Sequence, residues 1–312
     1  MEYCSQQFLE YVRKLNSTVA IRTATADDAA LFVSLFNAHY QRKKNNQYFY
    51  WQFFDSTIAS KLFMAFMGGD LAACYGIKNV RLSSGIRAGL AVDFLVGKAY
   101  RKRGIPYLLE NEIRKFATDT GLSVLMALPN KFGCAAFKKM GWRHIGTVKT
   151  LVASASHLNL LPPETAEALR PAQSFNYVVR DEAIRQYRFD QNPIYHYKRI
   201  ALAPNVFAMV KKFWDPMLNK NFGDIVDFDG PSAIMHFSQI FLKASEILLQ
   251  ENCEHITTWA LPHTPVYPIL TALGFHETPQ ERYFCVKILE DKYNFLYDFS
   301  NWRLAQADSE IY

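Results

Sequence analysis

The apolar positions fall into short runs broken by turn residues, and the spacing within the runs alternates between strand-like and helix-like. TVAIRT (18–23) predicts a strand. Thr25, with Asp28 three residues on, has the form of a helix N-terminus, and Leu31, Phe32, Leu35 and Phe36 continue it as one apolar stripe. KLFMAFMGGDLAACYGIKN (61–79) predicts two strands joined at Gly68-Gly69-Asp70, and RAGLAVDFLV (87–96) a buried strand. IPYLLENEIRKFATDTG (105–121) then reads as a helix with a proline in its first turn and Gly121 as its C-cap. A strand SVLMALP (123–129) and a short helix ending near Gly141 close the unit, so the order is mixed α/β.

The pattern recurs. ALPNKFGCAAFKKMGW (127–142) aligns with ALPHTPVYPILTALGF (260–275), AVDF (91–94) with IVDF (225–228), and more weakly YWQFF (50–54) with QYRFD (186–190). Three matches in one order, at an offset of about 133 to 136 residues, imply two copies of one fold. The expected organisation is a first domain over 1–150, a linker over 151–174 rich in small residues and proline, and a second, degenerate domain over 175–312.

Composition narrows the classes. Half of the 312 residues are apolar, ample for a core, and the formal charge of +6 is spread without a block of like charges. A dedicated nucleic-acid binder would concentrate more positive charge, so no nucleic-acid partner is expected, whereas an anionic small molecule suits the balance. The five cysteines are far apart with no C-x-x-C pair, which gives neither a disulfide framework nor a metal site. The N-terminal segment lacks a continuous apolar stretch, and no run of about eighteen apolar residues occurs anywhere. A cytoplasmic protein without a membrane partner is therefore expected.

The chemistry concentrates at RKRGIP (101–106), between a strand ending near Val96 and a helix beginning near Gly104. A helix start offers unpaired backbone N–H groups and the positive end of a dipole; Gly104 lets a phosphate approach, and Arg101, Lys102 and Arg103 add charge. The second copy lacks this loop and carries Asp229 at the matching place, so only the first copy is expected to hold the anion. No G-x-S-x-G, H-E-x-x-H, Walker or Rossmann motif is present.

A strand, then R-x-x-G-x-(G/A), a helix, a strand, and an asparagine opening a short helix that ends in Gly-aromatic: in this order the chain resembles the GNAT superfamily of acyl-CoA-dependent N-acyltransferases. The likeness covers roughly 18–148, with an echo in the last third of the second copy; the closing NWRLAQADSEIY is similar to tandem GNAT proteins of bacterial surface polysaccharides. It implies two GNAT-like domains of the α/β (α+β) class, each a mixed, mostly antiparallel twisted sheet flanked by helices. It also implies acetyl-CoA or another acyl-CoA as co-substrate, no metal, and a primary amine on a small molecule, such as an amino sugar, as acceptor. CoA would be held by Arg101, Lys102, Arg103, Gly104, Ile105 and Asn130, with the acyl carbonyl against the backbone of Leu95 and Val96. Asp93, two residues before Leu95 and so on the same strand face, is the candidate general base, although its recurrence as Asp227 also fits a structural role. His39, Tyr40, Tyr50 and Trp51 are the expected acceptor contacts.

Two departures stand out. Pro106 has no N–H where the pattern has Gly or Ala, and Phe137 replaces the tyrosine that many members use to protonate the departing thiolate. Two other functions stay open at this level: an aminoacyl-tRNA-dependent peptidyltransferase-like protein, and a non-catalytic acyl-CoA-binding module.

Overall fold

The computed structural model describes residues 18–55, 57–158, 175–215, 217–229 and 234–309. The first half contains β1 (Val19–Thr23), α1 (Ala29–Asn37), α2 (Asn46–Phe54), β2 (Ser60–Met67), β3 (Asp70–Arg81), β4 (Arg87–Val96), α3 (Ile105–Asp119), β5 (Val124–Ala127), α4 (Lys131–Lys139) and β6 (Arg143–Ala153). The second contains α5 (Glu182–Arg185), β7 (Tyr197–Ala203), β8 (Val206–Asp215), β9 (Lys220–Asp229), α6 (Ile234–Gln250), β10 (His255–Trp259), α7 (Val266–Ala272) and β11 (His276–Ile288). Most of the expected linker, 159–174, lies outside the described residues, as does the N-terminal segment 1–17. Strand β6 runs through the expected boundary at 150–151 to Ala153. Among the described residues no helix is long and apolar enough to cross a membrane.

The two halves share one sheet of eleven strands, in the order β1-β2-β3-β4-β5-β11-β6-β10-β9-β8-β7. All neighbours are antiparallel except β4 with β5 and β9 with β10. The halves exchange their last strands. β11 pairs with β5, from Cys285↔Ala127 to Ile288↔Val124, and β6 pairs with β10, from Ile256↔Ala153 to Trp259↔Thr150. Neither half closes its own sheet, so each supplies the backbone partners that the other's β5 or β10 needs.

Three apolar cores follow. On one face α3 lays Ile105, Leu108, Leu109 and Ile113, at helical spacing, against Tyr75 and Leu125. Helices α6 and α7 cover the second half on that face, with Phe241, Leu248 and Ile269 against Val210 and Ile225. On the opposite face a single core spans both halves, joining Phe32, Phe49 and Val92 to Phe207, Val226 and Trp302.

The aromatic run after Asn45 is the centre of that joint. Asn45 caps α2 by accepting from the Tyr48 N–H at 2.9 Å, which starts the helix early enough to turn Tyr48, Phe49, Trp51 and Phe53 inward. Trp51 then stacks on Tyr187, its counterpart in the QYRFD repeat, with centroids 4.9 Å apart and planes at 16°. The Trp51 indole N–H donates to the Tyr187 carbonyl at 3.0 Å, and the Tyr187 hydroxyl donates to the Trp51 carbonyl at 2.9 Å. The contact is self-reciprocal, as at a two-fold axis, so the internal repeat is also a pseudo-symmetric pair. Trp51→Ala is expected to lower the unfolding free energy in urea by about 3–5 kcal/mol. Adding Tyr187→Ala should cost about 0.5–1.5 kcal/mol less than the two changes separately; strictly additive costs would show that the rings do not act as a pair.

Candidate functional site

The site begins where two parallel strands part. β4 and β5 pair over only three positions, Ala88↔Val124 to Leu90↔Met126. β5 ends at Ala127, one residue before Leu128-Pro129, while β4 continues to Val96 held by β3 alone. On β3, Gly76 sits opposite Val92 so closely that a Cβ there would meet a Val92 methyl at 2.8 Å and the Phe53 ring at 2.9 Å. Directly beyond this pinch the register slips: Gly76 pairs with Val92 but Cys74 with Leu95, leaving two β4 residues opposite Tyr75 alone. Asp93 takes the bulge with φ of 48°, a left-handed conformation that aspartate tolerates better than most residues. The bulge puts Val92 and Asp93, neighbours in sequence, on the α1–α2 face, and sends Phe94 to the opposite face against Tyr75 and Phe137.

The cleft opened by this splay encloses about 1370 Å³, more than the roughly 300–1,000 Å³ of a single-ligand pocket, so two substrates have room to meet. Its walls are Leu90 to Val96 on one side and Ala127 to Asn130 on the other.

Asp93 lines this cleft, but its carboxylate is already engaged. It forms an ion pair with Lys44 and accepts from the Tyr48 hydroxyl at 3.4 Å, and the two charged side chains are 4% and 10% exposed. The Lys44 ammonium also lies 3.7 Å from the Tyr48 ring centroid and 4.1 Å from that of Phe36. In the second half Asp227 receives Arg180 side-on, through Nε at 2.8 Å and Nη2 at 2.7 Å, and Arg180 also reaches Asp308 at 2.7 Å. Those two carboxylates hold the Arg180 guanidinium above its ordinary pKa despite the cost of its burial. A carboxylate at the same strand position, paired with a cation from the segment before the same helix, occurs in both halves. The repeat therefore fixes an ion pair under the central core in each half.

At the other end of the cleft the chain turns through the basic loop. Lys102 and Gly104 have positive φ, 62° and 75°, on either side of Arg103, and α3 starts directly after Gly104. Such alternation turns successive N–H groups toward one concavity, adding to the helix start as an anion cradle. Arg101, Lys102, Gly104 and Pro106 line the cleft, with Pro106 in the first turn of α3 where its missing N–H costs no helical bond. Arg103 turns away, 3.5 Å from the Met67 sulfur and over the Tyr100 ring. The Ile105 side chain is fully buried in the α3 core, so only its backbone can serve a ligand. Asn130 lines the cleft and also caps α4, accepting the Gly133 N–H at 2.9 Å. Phe137 borders the cleft from within a cluster of Phe94, Tyr75 and Trp142, with no hydroxyl to offer.

Of the expected acceptor contacts, His39 and Tyr40 line the cleft. Lys98 N–H donates to His39 Nε2 at 3.1 Å, which leaves the ring proton on Nδ1, 2.8 Å from the Leu35 carbonyl. His39 thus ties the end of α1 to the approach of the basic loop. Burial, and then the Asp93 charge, raise the Tyr40 phenol above its ordinary pKa, so it stays a protonated hydroxyl at neutral pH. Tyr50 and Trp51 are a correction: Trp51 is consumed by the Tyr187 stack, and Tyr50 is half exposed on the outer side of α2 against Phe49 and Phe54. The inward residue of that run at the cleft is Tyr48, which the capping asparagine could have indicated. Burial pushes the Cys74 thiol up strongly, and it points at the Asp93 carbonyl at 3.3 Å, so it is not a nucleophile.

The second half also reaches the cleft, through Ile194, Tyr195, Gln280, Arg282, Asp308 and Ser309. Gln280 and Arg282 arrive on the exchanged strand β11, and no pairwise repeat in the sequence marks them. Asp229, expected to repel an anion from the second half's loop, pairs with Arg185 at 2.7 Å, and residues 230–233 after it lie outside the described residues.

No family model matches the sequence, and no curated protein matches it. Solved structures do match its shape. A GCN5-related N-acetyltransferase from Anabaena variabilis aligns with a TM-score of 0.62 at 9% identity, over 88% of this chain and 73% of that one. Eis1 from Mycobacterium abscessus aligns with a TM-score of 0.57 at 12% identity, over 89% and 75%. A tandem GNAT protein from the clavulanic acid biosynthesis pathway aligns with a TM-score of 0.52 at 14% identity, over 86% and 98%. These likenesses establish the fold, a tandem GNAT architecture; the function has to come from the site.

The ion pair at the bulge gives a direct test. Lys44→Met leaves the Asp93 carboxylate largely buried beside an apolar side chain and should lower unfolding free energy by about 3–5 kcal/mol, most of it recovered when Asp93→Asn is added. A loss below about 1 kcal/mol for Lys44→Met alone would mean that the pair does not hold β4 to α2.

Proposed function

With a tandem GNAT fold as the premise, we propose that this chain moves an acyl group, acetyl first among candidates, from an acyl-CoA to a primary amine of a small molecule, with amino sugars the first class to test. The observation that carries the reading is the cleft itself: one splayed opening that joins an anion cradle at Gly104 to a polar face at Tyr40, Lys44 and Asp93. The residues fit a diphosphate-bearing co-substrate, since Lys102 and Gly104 line the opening with left-handed backbone at a helix start and Arg101 and Lys102 add charge there.

The acyl thioester, when bound, supplies the electrophilic carbonyl. This chain's part is mainly positioning, worth several kcal/mol when reacting atoms are held near contact distance. Beyond Leu90 no strand among the described residues occupies the β5-facing edge of β4, so backbone groups near Leu95 and Val96 are open to a carbonyl lying in the cleft. Asp93, with Lys44 and Tyr48 already on it, is better suited to accept a hydrogen bond from the acceptor nitrogen than to take its proton. The cations Lys44 and Arg101 around it favour the neutral form of a bound amine, which is the nucleophile. Phe137 offers no proton, yet a thiolate with a pKa of roughly 8.5 leaves without much help, and a general acid adds at most about 10² to 10⁴-fold.

A second reading, a non-catalytic acyl-CoA-binding module, is favoured by the same two facts about Asp93 and Phe137. One experiment separates them. In calorimetry and a thiol-release assay, Arg101→Ala with Lys102→Ala should weaken acetyl-CoA binding and raise its KM about 10- to 100-fold, with kcat little changed, while Arg103→Ala should leave both near wild type. Acetyl-CoA binding without thiol release on any amine would select the module, and absence of acetyl-CoA binding to the wild-type chain would overturn the proposal.

A further inference from the structure

Aminolysis of a thioester ends with a proton on the departing sulfur, and Phe137 brings none to the cleft. Its α4 neighbours Ala135 and Ala136 bring none either. The wall contributed by α1 and the segment after it is richer in exchangeable protons, but most of them are committed. Both ring nitrogens of His39 are engaged, one with the Leu35 carbonyl and one with the Lys98 N–H. The Lys43 ammonium donates to the carbonyls of Asn37 at 2.6 Å and Tyr40 at 3.0 Å. Lys44 pairs with Asp93, and the Tyr48 hydroxyl donates to the same carboxylate. Tyr40 differs: it lines the cleft at 40% exposure, and its hydroxyl has no hydrogen-bond partner among the described residues.

The place of that hydroxyl is well determined. The Tyr40 N–H donates to the Phe36 carbonyl at 3.1 Å, the Tyr40 carbonyl accepts from Lys43, and the ring packs on Phe36 with centroids 4.6 Å apart. His39, the preceding residue, is tied to Lys98, three residues before Arg101. The field at the phenol comes from Asp93, Cys74 and Arg101, and Cys74 is the β3 partner of Leu95. Asp93 and Arg101 bracket Leu95 and Val96, the stretch of backbone open to the acyl carbonyl, so the hydroxyl stands beside the place where a carbon–sulfur bond would break. Burial, and then Asp93, keep its proton on the oxygen, while Arg101 acts the other way.

We propose that Tyr40 donates the proton to the departing thiolate, a role that Phe137 cannot fill. The proposal rests on the acyl-transfer reading and gives Tyr40 a catalytic part in place of an acceptor contact. The acceptor nitrogen bonds to the acyl carbon as the carbon–sulfur bond breaks with its electron pair on sulfur. The phenol proton passes to sulfur and yields the free thiol, and the proton shed by the new amide nitrogen returns to the phenolate. No outside acid or base is consumed. A phenol is a weaker acid than the thiol it forms, so the two transfers are coupled: the proton leaves oxygen as the nitrogen gives one up.

The test uses the full chain, acetyl-CoA and glucosamine, with a panel of other primary amines beside it, and reads thiol release. Tyr40→Phe keeps the ring on Phe36 and removes only the oxygen, so unfolding in urea and calorimetry with acetyl-CoA should match wild type. Its kcat should fall roughly 10- to 100-fold, with KM for acetyl-CoA and for the amine within about twofold of wild type. S-(4-nitrophenyl) thioacetate releases a far more acidic thiol that leaves without a donor, so on this thioester variant and wild type should turn over alike. Where wild type does not accept the aryl thioester, the split between kcat and KM decides. Equal losses on both thioesters, a raised KM for the amine with kcat kept, or full activity of Tyr40→Phe overturns the role of Tyr40 and leaves acyl transfer standing. Acetyl-CoA bound by wild type without thiol release on any amine of the panel overturns the acyl-transfer reading, and this role with it.

Discussion

β4 and β5 stay paired for only three positions, and the rest of the site depends on their separation. Two local features force it. β4 is pinched onto β3 at Gly76 and then bulges at Asp93, which turns its end away, while β5 runs into Leu128-Pro129, where the proline has no N–H to continue a ladder. A parallel pair normally keeps its spacing along its length. Here it opens into a cleft of about 1370 Å³, because no strand among the described residues refills it.

The exchanged strands decide what faces the opening. If β6 followed β5 within the first half, the far wall would be made from the first half alone. Instead β11 lies beside β5, bringing Gln280 and Arg282 from the second half into the cleft. The same exchange makes one sheet of the two halves and buries Trp51 against Tyr187 at their pseudo-symmetry axis. The degenerate second half thus supports the site in two ways, through packing at the joint and through side chains at the cleft wall. Its own counterpart of Asp93 has become part of a closed ion-pair cluster with Arg180 and Asp308.

Much of the fold was legible because it is written in local spacing. Strand β4 matches the predicted 87–96 segment, and β2 and β3 turn at Gly68-Gly69 as their positive φ values require. Helix α3 starts at Ile105 after a left-handed Gly104, which only the glycine makes inexpensive. The basic loop was legible for the same reason, since its residues are contiguous and their helix is adjacent. The aromatic run 50–54 was misread as pocket because a helix hides half of its residues from the cleft, and the sequence alone does not say which half.

What the sequence by itself determined is therefore the set of elements, their repetition and one basic turn at a helix start, all properties of residues within about one helix or strand of each other. What only the tertiary structure decided is which residues meet: Lys44 with Asp93, Trp51 with Tyr187, and Arg282 with a cleft formed mostly by the other half. Those meetings depend on strand exchange and on a one-residue bulge. A bulge reverses the faces of every residue after it, and an exchanged strand pairs through backbone groups common to all residues, so neither leaves a pattern in the side chains from which it could be read.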